Sequence, residues 1–359
     1  MLIVRHAGSS PPGPREGREY THPTMPSAPP ASAPRREPRP LDADGCVELA
    51  RIERSGLIES RHLGAAAVVD RDGTVLRAVG DIEATTFPRS ALKPLQAIAM
   101  LELGARFTDA ELVLATASHC GSPEHLAVVE GMLRADGRDA AALQCPVQAP
   151  LGFDERAARA AQGLAPTRVT LNCSGKHAGM LRASDAVGGD PGAYLDLDHP
   201  VQRHVVDVVE RFTGEPVHLS GFDGCAAPLH ATSLRALALA TARVAAGTTP
   251  EAARFMQAVA AEPWAIDGRG RANTLTIERL GGIAKLGAEG VVVIGTPSGV
   301  AVAVKVLDGS MRATTPVALG VLARVGAIDA DAAAELIERT SERVLAGDRP
   351  VGSLRVSLD

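Results

Sequence analysis

Residues 290–307 read GVVVIGTPSGVAVAVKVL, two runs of small and β-branched apolar residues on either side of Pro297-Ser298-Gly299. That pattern predicts a β-hairpin, with Lys305 on its returning strand. Residues 65–79, AAAVVDRDGTVLRAV, predict a second hairpin turning at Asp72-Gly73. Between them the pattern is helical. Helices are expected from Ser90 to Gly104, behind the Ser122-Pro123 cap, and over 154–162, 200–213, 233–246 and 250–261. Closing helices are expected at 316–325 and 330–345, whereas ELVLATA at 111–117 has no period that separates strand from short helix. Hairpins near both ends of the chain imply an α/β fold: one antiparallel sheet covered by helices. Residues 1–44, crowded with Pro, Ser, Gly and Arg, are expected to be a disordered tail before a single domain over 45–359.

Composition narrows the function. Of 359 residues, 45% are hydrophobic and 22% charged, as in an ordinary soluble globular protein. The net charge of -5, the absence of a basic run and 3% aromatic content argue against a nucleic-acid partner. No apolar stretch reaches the ~18 residues of a membrane span. Five cysteines at irregular spacing do not form a disulfide framework, so a reducing, cytoplasmic setting is expected, with thiolates available for metal.

Chemistry concentrates in a few strings. In FPRSALKPL, residues 87–95, Ser90 and Lys93 are one helical turn apart, and a lysine freed of its proton is a known base for a serine nucleophile. A free amine titrates at about 10.4, so only burial or neighbouring positive charge makes it a base near neutrality. Lysine is rationed here. Of 37 basic Lys and Arg residues only Lys93, Lys176, Lys285 and Lys305 are lysines, and arginine does not deprotonate in a protein. Two glycine-bearing strings, LNCSGKHAGM and GFDGCAAP, read as compact loops that carry Cys173, Lys176, His177, Asp223 and Cys225. Two thiolates and a third donor make a zinc site conceivable, although free cysteines are commonly buried apolar residues. Ser118 and His119 are adjacent and on an extended chain point to opposite faces, so Ser118 needs a partner from elsewhere. Glu59 and His62 fit a helix face equally well.

The strings IESRHLGAAAVVD, PRSALKPLQA, ASHCGSPEH, NCSGKHAGML, DHPVQ, GFDGCAAP, KLGAEGVVV and VAVKVLDG together resemble the asparaginase II family, the thermolabile or Rhizobium-type enzymes that use serine and lysine. The resemblance implies a sandwich like that of serine β-lactamases and glutaminases, a homodimer, and hydrolysis of L-asparagine to L-aspartate and ammonia. It implies Ser90 with Lys93 as nucleophile and base, Ser118 with Lys305 as a second pair, zinc on Cys173, Lys176 and Cys225, and Arg89, His177 and Asp223 lining the substrate pocket. Cys120 and Ser122 depart from the pattern, standing where Ser and Glu are more usual. A glutaminase or other β-lactamase-like serine amidase is the nearest rival; a zinc-containing amino-acid-binding protein without turnover is the rival from another class.

Overall fold

The computed structural model describes residues 37–357. The expected tail lies outside the described residues as far as residue 36. Beyond it Arg39 already pairs with Thr85, donating its amide to the Thr85 hydroxyl at 3.2 Å and accepting the Thr85 amide at 2.7 Å. Order therefore starts ahead of residue 45.

In chain order the strands are β1 (Val47–Arg54), β2 (Leu57–Asp70), β3 (Val75–Val79), β4 (Thr85–Thr86), β5 (Ser220–Phe222), β6 (Pro228–His230), β7 (Thr232–Ser233), β8 (Ile283–Leu286), β9 (Val291–Gly295), β10 (Val300–Val306), β11 (Val344–Ala346) and β12 (Arg349–Val356). The helices are α1 (Lys93–Glu102), α2 (Asp109–Leu114), α3 (Pro123–Ala135), α4 (Phe153–Ala161), α5 (Ser174–Ala186), α6 (Pro200–Thr213), α7 (Leu234–Ala245), α8 (Pro250–Ala261), α9 (Ala272–Leu280), α10 (Thr314–Arg324) and α11 (Ala330–Thr340).

One antiparallel sheet runs β11-β12-β1-β2-β10-β9-β8, with β3 also on β2. Both expected hairpins are present, β2 with β3 and β9 with β10, and β2 joins them by pairing with β10 from Asp70↔Val300 to Gly64↔Val306. Alternate residues face opposite cores. Ala65, Ala67, Val291, Val293, Ala301 and Ala303 pack with Leu234, Leu237 and Ala238 of α7, whereas Ala66, Val68, Val292, Ile294, Val302 and Val304 face the larger core that includes α10. Burial on both faces explains why these strands read as continuous apolar runs. The mixed α/β fold with a helix-covered antiparallel sheet is thus the one the sequence implies.

Several elements differ from the sequence reading. LNCSGKHAGM is not a loop: Cys173 precedes α5, which is buried along almost its whole length. Burial all round removes amphipathic period, and the two glycines that look like breakers are contact points. A Cβ on Gly175 would lie 2.5 Å from the Leu114 carbonyl, and one on Gly179 3.0 Å from the Met100 sulfur. The 111–117 string resolves into α2, capped by a Thr108/Glu111 capping box, and a short link to Ser118. Glu59 and His62 lie on β2, not on a helix. The last helix stops at Thr340, and β12 pairs with the first strand while β11 pairs with β12; the long-range contact with β1 is one that no local pattern carries.

Candidate active site

Ser118 is held by three consecutive amides bonded to two other segments. Its N–H donates to Ile266 O at 3.1 Å, that of His119 to Asn172 O at 3.1 Å, and that of Cys120 to Asp267 O at 2.8 Å. The hydroxyl of Ser118 meets two amines: Lys285 Nζ at 2.9 Å and Lys93 Nζ at 3.1 Å. Both lysines are buried, Lys93 at 1% and Lys285 at 0% exposure.

The partner of Lys93 is therefore Ser118. Its amine also donates to Ala117 O at 2.5 Å and to Cys173 Sγ at 3.1 Å, so three donors meet three acceptors, as an ammonium requires. Among the hydrogen bonds of this amine none goes to the Ser90 hydroxyl. Ser90 is buried, and its carbonyl accepts the Lys93 backbone N–H.

Lys305 is not the partner of Ser118 either. Its amine donates to Glu289 O at 2.6 Å and Val306 O at 2.7 Å. Lys285, on β8 two strands away from β10, stands there instead, within the KLGAEGVVV string. Lys305 carries the more conspicuous sequence signal, a lysine on an apolar strand of a clear hairpin, but strand order decides which lysine borders the site. Burial, then the charge of Lys93, pulls the pKa of Lys285 down to about 7. The second hydrogen bond of Lys285 goes to Leu286 O at 2.9 Å. A neutral amine in that position donates to the carbonyl and turns its lone pair to the Ser118 O–H, while Lys93 donates to the same oxygen.

His119 is not that base. Ser174 donates its hydroxyl to Val169 O at 2.8 Å, so the 2.9 Å contact between its oxygen and His119 Nε2 is a bond from the ring N–H. Burial first, then His125 and Lys93, lowers the pKa of His119 and keeps it neutral. The two departures in this loop have local roles. Ser122 caps α3 and lies 2.7 Å from His125 Nδ1, and the Cys120 thiol is pushed up to about 12, first by burial and then by Glu155.

Cys173, Lys176 and Cys225 do come together. Lys176 Nζ donates to Cys225 Sγ at 3.2 Å, and the Cys173 thiol, which donates to Asn172 Oδ1 at 3.5 Å, acts electrostatically on the same sulfur. Cys173 first, then Lys176 and His177, lowers the pKa of Cys225 against burial. Cys173 is raised by its interaction with Cys225 and by burial. His177, expected to line the substrate pocket, is fully buried beside Cys225. Gln144 N–H donates to Tyr194 Oη at 2.9 Å, leaving the tyrosine proton for His177 Nδ1 at 2.8 Å. The histidine proton is then on Nε2, which has no partner of its own except the Cys225 sulfur next to it. Among the described residues no set of three His, Cys, Asp or Glu side chains is arranged for a metal; the two sulfurs and the Lys176 amine are the donors open to a thiophilic ion such as zinc, the amine only after losing the proton it donates to Cys225.

Arg89 and Asp223 form the third part. Arg89 Nε and Nη2 reach Asp223 Oδ1 at 3.0 and 2.8 Å, and Gly224 N–H donates to the same oxygen at 2.8 Å. Arg89 (φ 52°) and Ala226 (φ 69°) occupy the left-handed region, an unfavourable backbone for residues with a Cβ, and strain of this kind collects at functional sites. Asp223 also acts electrostatically on Lys285 and Lys176, which ties the ion pair to the amine cluster.

No described helix is long and apolar enough to cross a membrane. A comparison with curated proteins finds no match. Among solved structures, the chain is similar to Mglu in its glutamate form, at 14% identity and a TM-score of 0.42 over 75% of this chain and 62% of that one. It is also similar to Mglu in its native form, at 14% identity and a TM-score of 0.39 over 74% and 65%. The chain thus spans less than two thirds of the length of Mglu. The family model described as L-asparaginase II matches residues 50–356, nearly all of the described fold and every residue of the amine, sulfur and ion-pair clusters. The chain belongs to the L-asparaginase II family of amidohydrolases.

Proposed function

We propose that the protein hydrolyses L-asparagine to L-aspartate and ammonia through a serine ester. The observation that carries this reading is the Ser118 oxygen placed 2.9 Å from Lys285 and 3.1 Å from Lys93. Ser118 adds to the side-chain amide carbon and passes its proton to the neutral Lys285 amine. Collapse of the adduct breaks the C–N bond, the nitrogen leaves as ammonia with a proton from an ammonium of the cluster, and water then cleaves the ester. Two amines suffice for these transfers. Lys285 is poised near neutrality, and Lys93 steadies the developing alkoxide. Arg89 and Asp223 are complementary to the carboxylate and ammonium of an amino acid, which favours asparagine over a simple amide.

Ammonia release from L-asparagine, with L-glutamine alongside, tests the activity; release from glutamine at equal or greater efficiency favours the glutaminase reading. The nucleophile is tested by acid quench and peptide mass spectrometry, with an aspartyl ester expected on the peptide holding Ser118. Ser118→Ala is expected to lose about 10³-fold or more in kcat and to form no ester. An ester on Ser90 would return the nucleophile to the Ser-x-x-Lys pair. Substrate binding without ammonia release in the unsubstituted protein would leave the amino-acid-binding reading instead.

Zinc is part of the proposal. Cys173, Lys176 and Cys225 would hold it, and its charge would fix the sulfur loops and polarise a nearby ligand. Elemental analysis of protein purified without chelator is expected to show about one zinc per chain and its loss in Cys225→Ser; an equal content in both would remove the metal from the proposal. A homodimer is proposed from family membership, and sedimentation at twice 37.1 kDa checks it. The cytoplasmic setting is likewise a proposal, supported by five free cysteines.

A further inference from the structure

Glu289 and Lys305 have no part in the chemistry above, yet Glu289 has a strained backbone and Lys305 a half-buried amine. Glu289 stands at the tip of the turn between β8 and β9, whose first strand delivers Lys285. Its φ of 57° is left-handed, like those of Arg89 and Ala226. Among the described residues, three of the four non-glycine residues with positive φ therefore lie around the ion pair, and the fourth, Ser55, is in the turn between β1 and β2. The turn is pressed onto the Arg89 segment, since a Cβ on Gly287 would lie 2.6 Å from Pro88 O. Glu289 Oε1 comes to 3.8 Å from Arg89 Nη1, on the guanidinium whose other nitrogens hold Asp223. Lys305, half-buried on β10, spends one hydrogen bond on Glu289 O at 2.6 Å, so a lysine on the next strand but one pins the strained carbonyl.

We propose that Glu289 is a specificity-determining residue, a second carboxylate beside Asp223 that selects substrates carrying an α-ammonium, and that Lys305 is the residue that positions it. The proposal rests on the amino-acid amide reading above. Two carboxylates share one guanidinium, and the Lys305 amine also acts on Glu289. When the substrate carboxylate engages Arg89, the carboxylate it displaces faces the substrate ammonium. Glu289 is 67% exposed, which suits a group that meets an incoming ligand. Lys305 acts on it through the backbone, because its donor goes to the carbonyl and not to the carboxylate.

The test compares L-aspartate with succinate, the same dicarboxylate without the ammonium, by titration calorimetry on the full chain. The unsubstituted protein is expected to prefer L-aspartate. Glu289→Gln is expected to narrow that preference about tenfold, the size of one charged hydrogen bond. Lys305→Met should narrow it similarly, Lys305→Arg should retain more of it, and Glu289→Gln with Lys305→Met should lose no more than either alone. Equal weakening of both ligands in Glu289→Gln, an unchanged ratio, or an unsubstituted protein that binds the two alike overturns the proposal. If Lys305→Met does not fold, Glu289→Gln alone decides it. A protein that discriminates between the ligands but releases no ammonia sinks the hydrolase reading and leaves this one standing.

Discussion

Lys285→Met is expected to lower asparagine turnover by about 10³-fold and, at neutral pH, to raise the melting temperature. The first effect follows from removing the proton acceptor of Ser118, a contribution of about 10²–10⁴ for general base catalysis, together with one of the two groups that orient the hydroxyl. The second follows from proton linkage. Lys285 titrates near 7 in the folded chain against 10.5 as the ordinary value, so between those pH values the unfolded chain binds the extra proton. Folding is therefore penalised increasingly as pH falls from 10.5 to about 7, and in full below it. The penalty is on the order of a few kcal/mol at pH 7. Methionine has none. It leaves Leu286 O without its lysine donor, a cost of about 1–3 kcal/mol, so the net gain is about 1–2 kcal/mol, or a few degrees. The gain should shrink as the pH is raised toward 10. Activity of the unsubstituted enzyme should rise with pH through about 7, as Lys285 loses its proton, and residual activity of the variant should lack that limb. A variant that is both inactive and less stable at pH 7 would show that Lys285 is charged in the fold and is not the base.

Gly64→Ala is expected to damage the sheet severely. Gly64 lies on β2 at the crossover where this strand pairs with Val47 of β1 on one side and Val306 of β10 on the other. A Cβ there would lie 2.1 Å from Lys305 O, 2.8 Å from Leu49 Cδ1 and 3.0 Å from Val306 Cα. Two of those three atoms are backbone, so relief requires β2 and β10 to separate and part of their ladder to be lost. We expect a loss of more than about 3 kcal/mol, read as a fall in the denaturant midpoint or as failure to accumulate soluble protein. A midpoint within experimental error of the unsubstituted protein would mean that the strands have more room than this spacing allows.

The strongest local patterns were read correctly. The β2/β3 and β9/β10 hairpins, the Ser122 cap of α3, the proline-started α6 and α8, and α7 stopped before Gly247 all rest on interactions among residues near in sequence. The errors lie where burial or long-range contact decides. Helix α5 is buried on nearly all sides, polar residues included, and contains two glycines, so neither period nor propensity marks it; β12 is held by pairing with β1, some 300 residues earlier, and β11 by pairing with β12.

The site divides in the same way. Residue type alone marked its inventory, because a chain with four lysines among 37 basic residues has kept amines where arginine cannot substitute. It also marked the two thiols and Asp223, whereas Arg89 entered only through the family resemblance. Type could not say which amine meets which hydroxyl. Lys93 turns to Ser118 because its ammonium needs three acceptors and finds them at Ala117, Ser118 and Cys173, while β8 brings Lys285 to the same oxygen and β10 carries Lys305 to the Glu289 turn. Chemical capacity belongs to side chains and is written in the sequence; pairing depends on distances across strands remote in the chain, and only the packed sheet sets those.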